Sequence, residues 1–158
     1  MAKRRTWWGN PALRQAIALT EGVGWPELVS NGTFSTDTSG WVQQANTTLS
    51  VVNGRMRVLN VGTNYGIASY TLSDLTVGAV YRVGVDCYLG VDIDMPFRID
   101  VTTVAAPVAT PTGLKNNRTE GRFTADVTAT AATMYLHLGN RNDPDSYNEF
   151  DNVSVKRR

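Results

Sequence analysis

The feature that most constrains this chain is an alternation of apolar and polar residues with a period of two, which sets in after Trp25-Pro26 and recurs to the end of the sequence. Such alternation puts successive side chains on opposite faces of an extended strand, so one face can be buried while the other meets water. Tyr81, Val83, Val85, Cys87 and Leu89 alternate with Arg82, Gly84, Asp86 and Tyr88. Phe97, Ile99 and Val101 repeat the pattern against Arg98, Asp100 and Thr102, and Phe123, Ala125 and Val127 give another inward row. Met134, Leu136 and Leu138 supply one more, and Val153 and Val155 mark a last strand. Between Leu49 and Leu59, Asn53-Gly54 interrupts two alternating runs, the preferred pair for a two-residue turn needing positive φ at both positions. Many short strands separated by turns predict an all-β sandwich of the jelly-roll type.

A chain of 158 residues is the usual size of one domain and long enough to build a core without disulfides. Cys87 is the single cysteine, so no internal disulfide forms, and its place in an alternating strand makes it a core residue. His137 is the single histidine, which leaves catalytic or metal chemistry built on paired histidines without material. No phosphate-binding glycine loop or nucleophile elbow is present. Asp143, Asp145 and Glu149 are carboxylates in or next to a polar loop, a setting unlike a glycosidase pair held across a cleft. The reading is of a non-enzymatic protein. The balanced charge speaks against a nucleic-acid partner, and the sequence has no apolar run that reads as an export signal or a membrane span.

That balance hides a segregation. Lys3, Arg4, Arg5, Arg14, Lys156, Arg157 and Arg158 lie at the two ends, and all fourteen acids lie between Arg14 and Lys156. Basic ends of this kind dock on acidic neighbours or remain solvated. Residues 1–27 read as a separate arm: Asn10 as N-cap and Pro11 at the first helical position open a short helix that stops before Gly22, with Leu13 and Ile17 on one side. Such a helix is too short to stand alone in water. Together with Trp7 and Trp8 it either anchors on another molecule or folds back over the sandwich, and Lys3, Arg4, Arg5, Trp7, Trp8, Leu13 and Ile17 are its candidate partner-binding residues. Residues 28–158 form the sandwich, with Ala105 to Asn117 and Gly139 to Asn148 as long loops.

Leu28-Val29-Ser30-Asn31-Gly32-Thr33-Phe34, followed by Ser39-Gly40-Trp41, resembles the opening of carbohydrate-binding modules of families four and nine, and Glu149-Phe150-Asp151-Asn152-Val153-Ser154-Val155 resembles their last strand. The likeness spans about residues 28–157 and implies a galactose-binding-like jelly roll, with Trp41 in the family's packing position. It also implies a calcium ion pinning the first turn to the last strand, for which Asp151 matches one ligand. Thr33 and Ser35 stand where the family has acidic residues, and calcium prefers several carboxylates among six to eight oxygens. Otherwise Asp151 caps the turn by hydrogen bonds, and no cofactor is expected. Similar domains joined to a helical or basic arm occur in virion proteins of tailed bacteriophages.

The outward rows place Arg82, Asp86, Tyr88, Arg98, Asp100, Tyr135 and His137 off the core. If their strands share a sheet, these residues form a glycan-binding face of rings and planar polar groups; otherwise they form cross-strand pairs that cover exposed sheet. Two functions follow as expectations. One is a virion structural protein, a capsid decoration assembled in the host cytoplasm, anchored through residues 1–27 to the major capsid protein or other virion proteins and present as a homo-oligomer or in many copies. The other is a module that attaches a tail or an enzyme complex to host-surface glycans.

Overall fold

A computed structural model describes residues 24–90, 97–105, 114–140 and 143–158, and the side chains of 115–117 fall outside that description. The helical arm expected before Gly22 lies outside the described residues. From residue 41 onward the chain forms β1 (Trp41–Gln43), β2 (Thr47–Val52), β3 (Arg55–Asn60), β4 (Ile67–Leu72) and β5 (Val80–Leu89). These are followed by β6 (Phe97–Thr102), β7 (Lys115–Asn117), β8 (Gly121–Thr128), β9 (Met134–Gly139) and β10 (Tyr147–Arg157). A first sheet has the order β1-β4-β9-β6-β7 and a second the order β2-β3-β10-β5-β8. Every pairing is antiparallel.

The two inner faces meet in one core. Tyr70, Leu72, Phe97, Ile99, Leu136 and Leu138 come from the first sheet, and Met56, Val58, Val83, Val85, Cys87, Phe150 and Val155 from the second. Burying each large side chain of this kind contributes about 1.5–3 kcal/mol, so the inward rows read from the alternation are also what holds the sheets together. Phe97 and Phe150 meet edge to face across the layers at 6.0 Å. Trp41 packs between Phe34 and Tyr70, at 5.7 and 5.1 Å, and its Nε1–H donates to the Asn31 carbonyl at 3.0 Å. It is a core residue, as its match to the family's packing tryptophan implies.

Asn53 and Gly54 have φ of 53° and 73° and join β2 to β3 at the Val52↔Arg55 pair, as the type I′ pattern requires. The stretch from Ala105 to Asn117, read as loop throughout, ends in the short edge strand β7, which pairs with β6 through Phe97↔Asn117. An edge strand of three residues needs no core-facing alternation, so the sequence pattern did not announce it.

Residues 24–40 run in turns against β10. The Leu28 N–H donates to the Val155 carbonyl at 3.0 Å, and Val153 N–H to the Gly32 carbonyl at 2.8 Å. A Cβ on Gly32 would stand 2.0 Å from the Val153 carbonyl oxygen, so only glycine permits this approach. Here β10 is bulged: its pairing with β5 shifts between Asp151 and Ser154, and Asn152 takes a φ of 48°. Glu27 clips the same junction. Its Oε1 accepts from Val155 N–H at 2.7 Å and Val29 N–H at 3.1 Å, while Oε2 accepts from the Ser154 hydroxyl at 2.6 Å.

Candidate functional site

The seven outward residues do not share a surface. Arg82, Asp86 and Tyr88 sit on β5 in the second sheet, whereas Arg98 and Asp100 on β6 and Tyr135 and His137 on β9 sit in the first. Outward faces of the two layers of a sandwich look in opposite directions, so the single concave surface expected from all seven is corrected to two separate faces.

On the second sheet the outward groups satisfy one another. Asp126 accepts from Arg82 Nε at 2.9 Å, and Asp86 accepts from Arg122 at 3.1 Å and from the Asn152 amide at 2.8 Å. The Arg55 guanidinium lies 3.5 Å above the Tyr88 ring and that of Arg57 3.9 Å above the Tyr147 ring, and Glu149 bridges both cations at 3.6 and 2.7 Å. The ring face that holds a guanidinium is not free to stack on a pyranose. These are the cross-strand pairs of the alternative reading, and Glu149 takes part in them.

On the first sheet the outward face is built differently. The register aligns Val42, Ser69, His137 and Asp100 in one row, Thr71, Tyr135 and Thr102 in the next, and Ile67, Gly139 and Arg98 in a third. Although these side chains point away from the core, Ser69, His137 and Asp100 are only 3, 5 and 8% exposed. The Val104 and Ala105 carbonyls, just after β6, bond into this network through His137 and Gln44. The His137 ring is held at 2.8 Å from the Ser69 hydroxyl through Nδ1, and at 3.0 and 3.1 Å from the Thr102 hydroxyl and the Val104 carbonyl through Nε2. Gln44 donates through its amide to Ser69 Oγ at 3.0 Å and to the Ala105 carbonyl at 3.2 Å. Burial pushes the His137 pKa down, opposed by its bond to Val104 and by the nearby Asp100 charge.

Tyr135 stacks along His137, with centroids 6.4 Å apart and planes inclined by 19°. Val42 and Val104, 55 and 46% exposed, add apolar ground beside this network. At the far row the Arg98 guanidinium lies 3.8 Å above the Tyr65 ring. The face thus keeps a ring and apolar carbons for sugar C–H surfaces, with Ser69 and His137 buried beneath them as support. Gln44, Ser69 and Val104 were not singled out from sequence.

Asp151 lies on the outward side of β10 opposite Asp86, and its Oδ1 accepts from Asn152 N–H at 2.7 Å. No group of three or more His, Cys, Asp or Glu that could hold a metal ion occurs among the described residues. With Thr33 and Ser35 in the turn, the donor set does not fit a calcium ion, and the junction that such an ion would pin is closed by Glu27 and by the Gly32–Val153 bond. Lys3, Arg4, Arg5, Trp7, Trp8, Leu13 and Ile17 lie outside the described residues. No helix among the described residues is long and apolar enough to cross a membrane.

Comparison with known proteins gives a consistent picture. A family model described as a carbohydrate binding domain matches residues 26–146. Among curated proteins, none matches the sequence. Among solved structures, the CBM22-1 xylan-binding domain from Paenibacillus barcinonensis superposes with a TM-score of 0.64 at 11% identity, covering 85% of this chain and 96% of that one. The second N-terminal cellulose-binding domain of Cellulomonas fimi β-1,4-glucanase C gives 0.57 at 17%, covering 84% and 95%. The enzymatically active domain of a bacteriophage CBA120 tailspike protein gives 0.58 at 14%, covering 84% of this chain and 21% of that one. At these identities the likeness is one of fold.

Proposed function

Because the chain belongs to the carbohydrate binding domain family, matched over residues 26–146, we propose that it is a non-catalytic module that holds a glycan across the outward face of the first sheet. The observation that carries this reading is the contrast between the two outward faces. On the second sheet the rings of Tyr88 and Tyr147 are covered by guanidinium groups. On the first, the half-buried ring of Tyr135 stands beside two exposed valines, supported by a hydrogen-bond chain of Gln44 with the buried Ser69 and His137. A ring held in place from beneath loses little entropy when a ligand stacks on it. The similar structures named for xylan and cellulose binding support a glycan as the ligand class.

The findings favour this reading over a capsid-decoration role anchored by residues 1–27, for which no described residue offers support and to which the tailspike domain adds only a shared fold. The test is isothermal titration against a panel of soluble oligosaccharides and polysaccharides, with Tyr135→Ala and Tyr88→Ala side by side. Binding that Tyr135→Ala weakens and Tyr88→Ala leaves intact is expected. Binding lost only in Tyr88→Ala moves the ligand to the opposite face, and a protein that binds no glycan at all removes the reading.

A further inference from the structure

The two sheets end in the strands β1, β7, β2 and β8, and β8 differs from the other three. An exposed edge offers backbone hydrogen bonds to any strand that can lie beside it, and folds blunt such edges by shortness or by covering them. β1 and β7 have three residues each. β2 has six, and the Leu49 N–H on it is taken by the Gln43 side-chain oxygen at 3.3 Å. β8 runs for eight residues, Gly121–Thr128, and pairs with β5 without a shift of register.

The pairing with β5 fixes which amides this edge presents. The Ala129 N–H donates to the Ala79 carbonyl at 2.9 Å, in step with the Val80↔Thr128 pair. Amides alternate in direction along an antiparallel strand, so the odd-numbered residues of β8 turn theirs to β5, while Arg122, Thr124, Asp126 and Thr128 turn theirs outward. All four of these residues are exposed. The inward row is incompletely covered as well. Phe123, Ala125 and Val127 are half-buried, whereas Val83, Val85 and Cys87 beside them on β5 are closed off.

We infer that β8 is the contact through which two copies of this chain pair, edge to edge and antiparallel, about a two-fold axis at Thr124. In that register Thr124 exchanges both backbone bonds with its counterpart, and Arg122 stands opposite Asp126 on each side of the axis. Phe123 meets Ala125, large against small, on the inward side. Sliding the copies by two residues sets Asp126 opposite Glu120, a like charge, or opposite Thr124, so charge selects one alignment. The pair forms one continuous layer, to which each copy contributes its five-stranded second sheet. Both first sheets lie on the same side of it, so on the reading above their outward faces can engage one polymeric glycan together.

The experiment is sedimentation velocity on the full chain across the micromolar range. A rise from one to two chain masses with concentration is expected. Thr124→Pro removes the central N–H at a position where an edge strand tolerates proline, and should weaken pairing at least about tenfold. Asp126→Arg and Arg122→Asp should each stay monomeric alone, because each sets like charges opposite one another, and should dimerise when mixed, because mixing restores opposite charges on both sides of the axis. The native chain and Thr124→Pro decide the matter even where a charge variant misfolds. A native chain that remains a monomer throughout the range overturns the pairing, as does a dimer that Thr124→Pro leaves intact. Either result leaves glycan binding standing, since that is read from the other sheet and by titration.

Discussion

Ser69 and His137 face each other across β4 and β9 at 2.8 Å, hydroxyl to Nδ1, on the side of the sheet that looks away from the core. The contact fixes the state of the ring. The Val104 carbonyl can only accept, so Nε2 carries the proton toward it, and Nδ1 of a neutral imidazole then accepts from Ser69. Ser69 in turn accepts from Gln44.

A pH dependence follows. The His137 pKa is pushed down from 6.5, first by burial, against the bond to Val104 and the Asp100 charge. The unfolded chain therefore binds a proton that the folded one refuses, and stability rises with pH across that window. The contribution is complete above the unfolded value of about 6.5 and is lost as pH falls below it toward the lower folded value. Urea midpoints measured from pH 7.5 to 5 should fall in the native protein and stay flatter in His137→Gln. A native midpoint that is level over this range contradicts the assignment.

Replacing Glu27 by Ala removes acceptors for two backbone N–H groups and one hydroxyl at the seam between residues 27–29 and β10. Hydrogen bonds to a charged acceptor are worth about 1.5–3 kcal/mol each when buried, and less at a partly exposed site. A loss of about 1–3 kcal/mol is expected in chemical denaturation, with Glu27→Gln intermediate. No measurable change would mean that the clip is ornamental.

Gly32→Ala should be the more severe lesion, although it adds one methyl group. That methyl would stand 2.0 Å from the Val153 carbonyl oxygen, and backbone on both sides cannot yield as a flexible side chain does. A cost of roughly 1–3 kcal/mol is expected from overpacking, read as a lower Tm with the far-ultraviolet spectrum unchanged.

For ligand binding, Tyr135→Ala should weaken glycan affinity roughly 3- to 10-fold, the value of one aromatic contact of about 0.5–1.5 kcal/mol. Tyr88→Ala should leave it unchanged, because Arg55 already occupies that ring. Titration of both variants against the same oligosaccharide distinguishes the faces.

The inward side of each strand could be read from the sequence because alternation reports burial directly: Val83, Val85 and Cys87, or Leu136 and Leu138, go where their spacing sends them. The partner sheet could not, since alternation separates inside from outside without saying which of two layers a strand joins. That is why Tyr88 and Tyr135 were grouped and are not neighbours. Ser69 was hidden for a further reason. In β4, Ile67, Ala68, Ser69 and Tyr70 are all buried, on both faces of the strand, so no polar–apolar rhythm survives to mark an outward site. Tyr65 and Gln44 lie in connections, where no periodicity indicates direction.

Leu28 and Val155 are bonded neighbours, and Trp25 lies against Arg157 near the last residues of β10. The described chain therefore enters and leaves the sandwich side by side. A load applied to both ends would act on this seam as on a zipper, parting the Glu27 bonds in succession rather than shearing them together. Optical-tweezer extension should accordingly show an early yield of a few residues before the main rupture, so a tethered domain of this build would give under tension without coming undone.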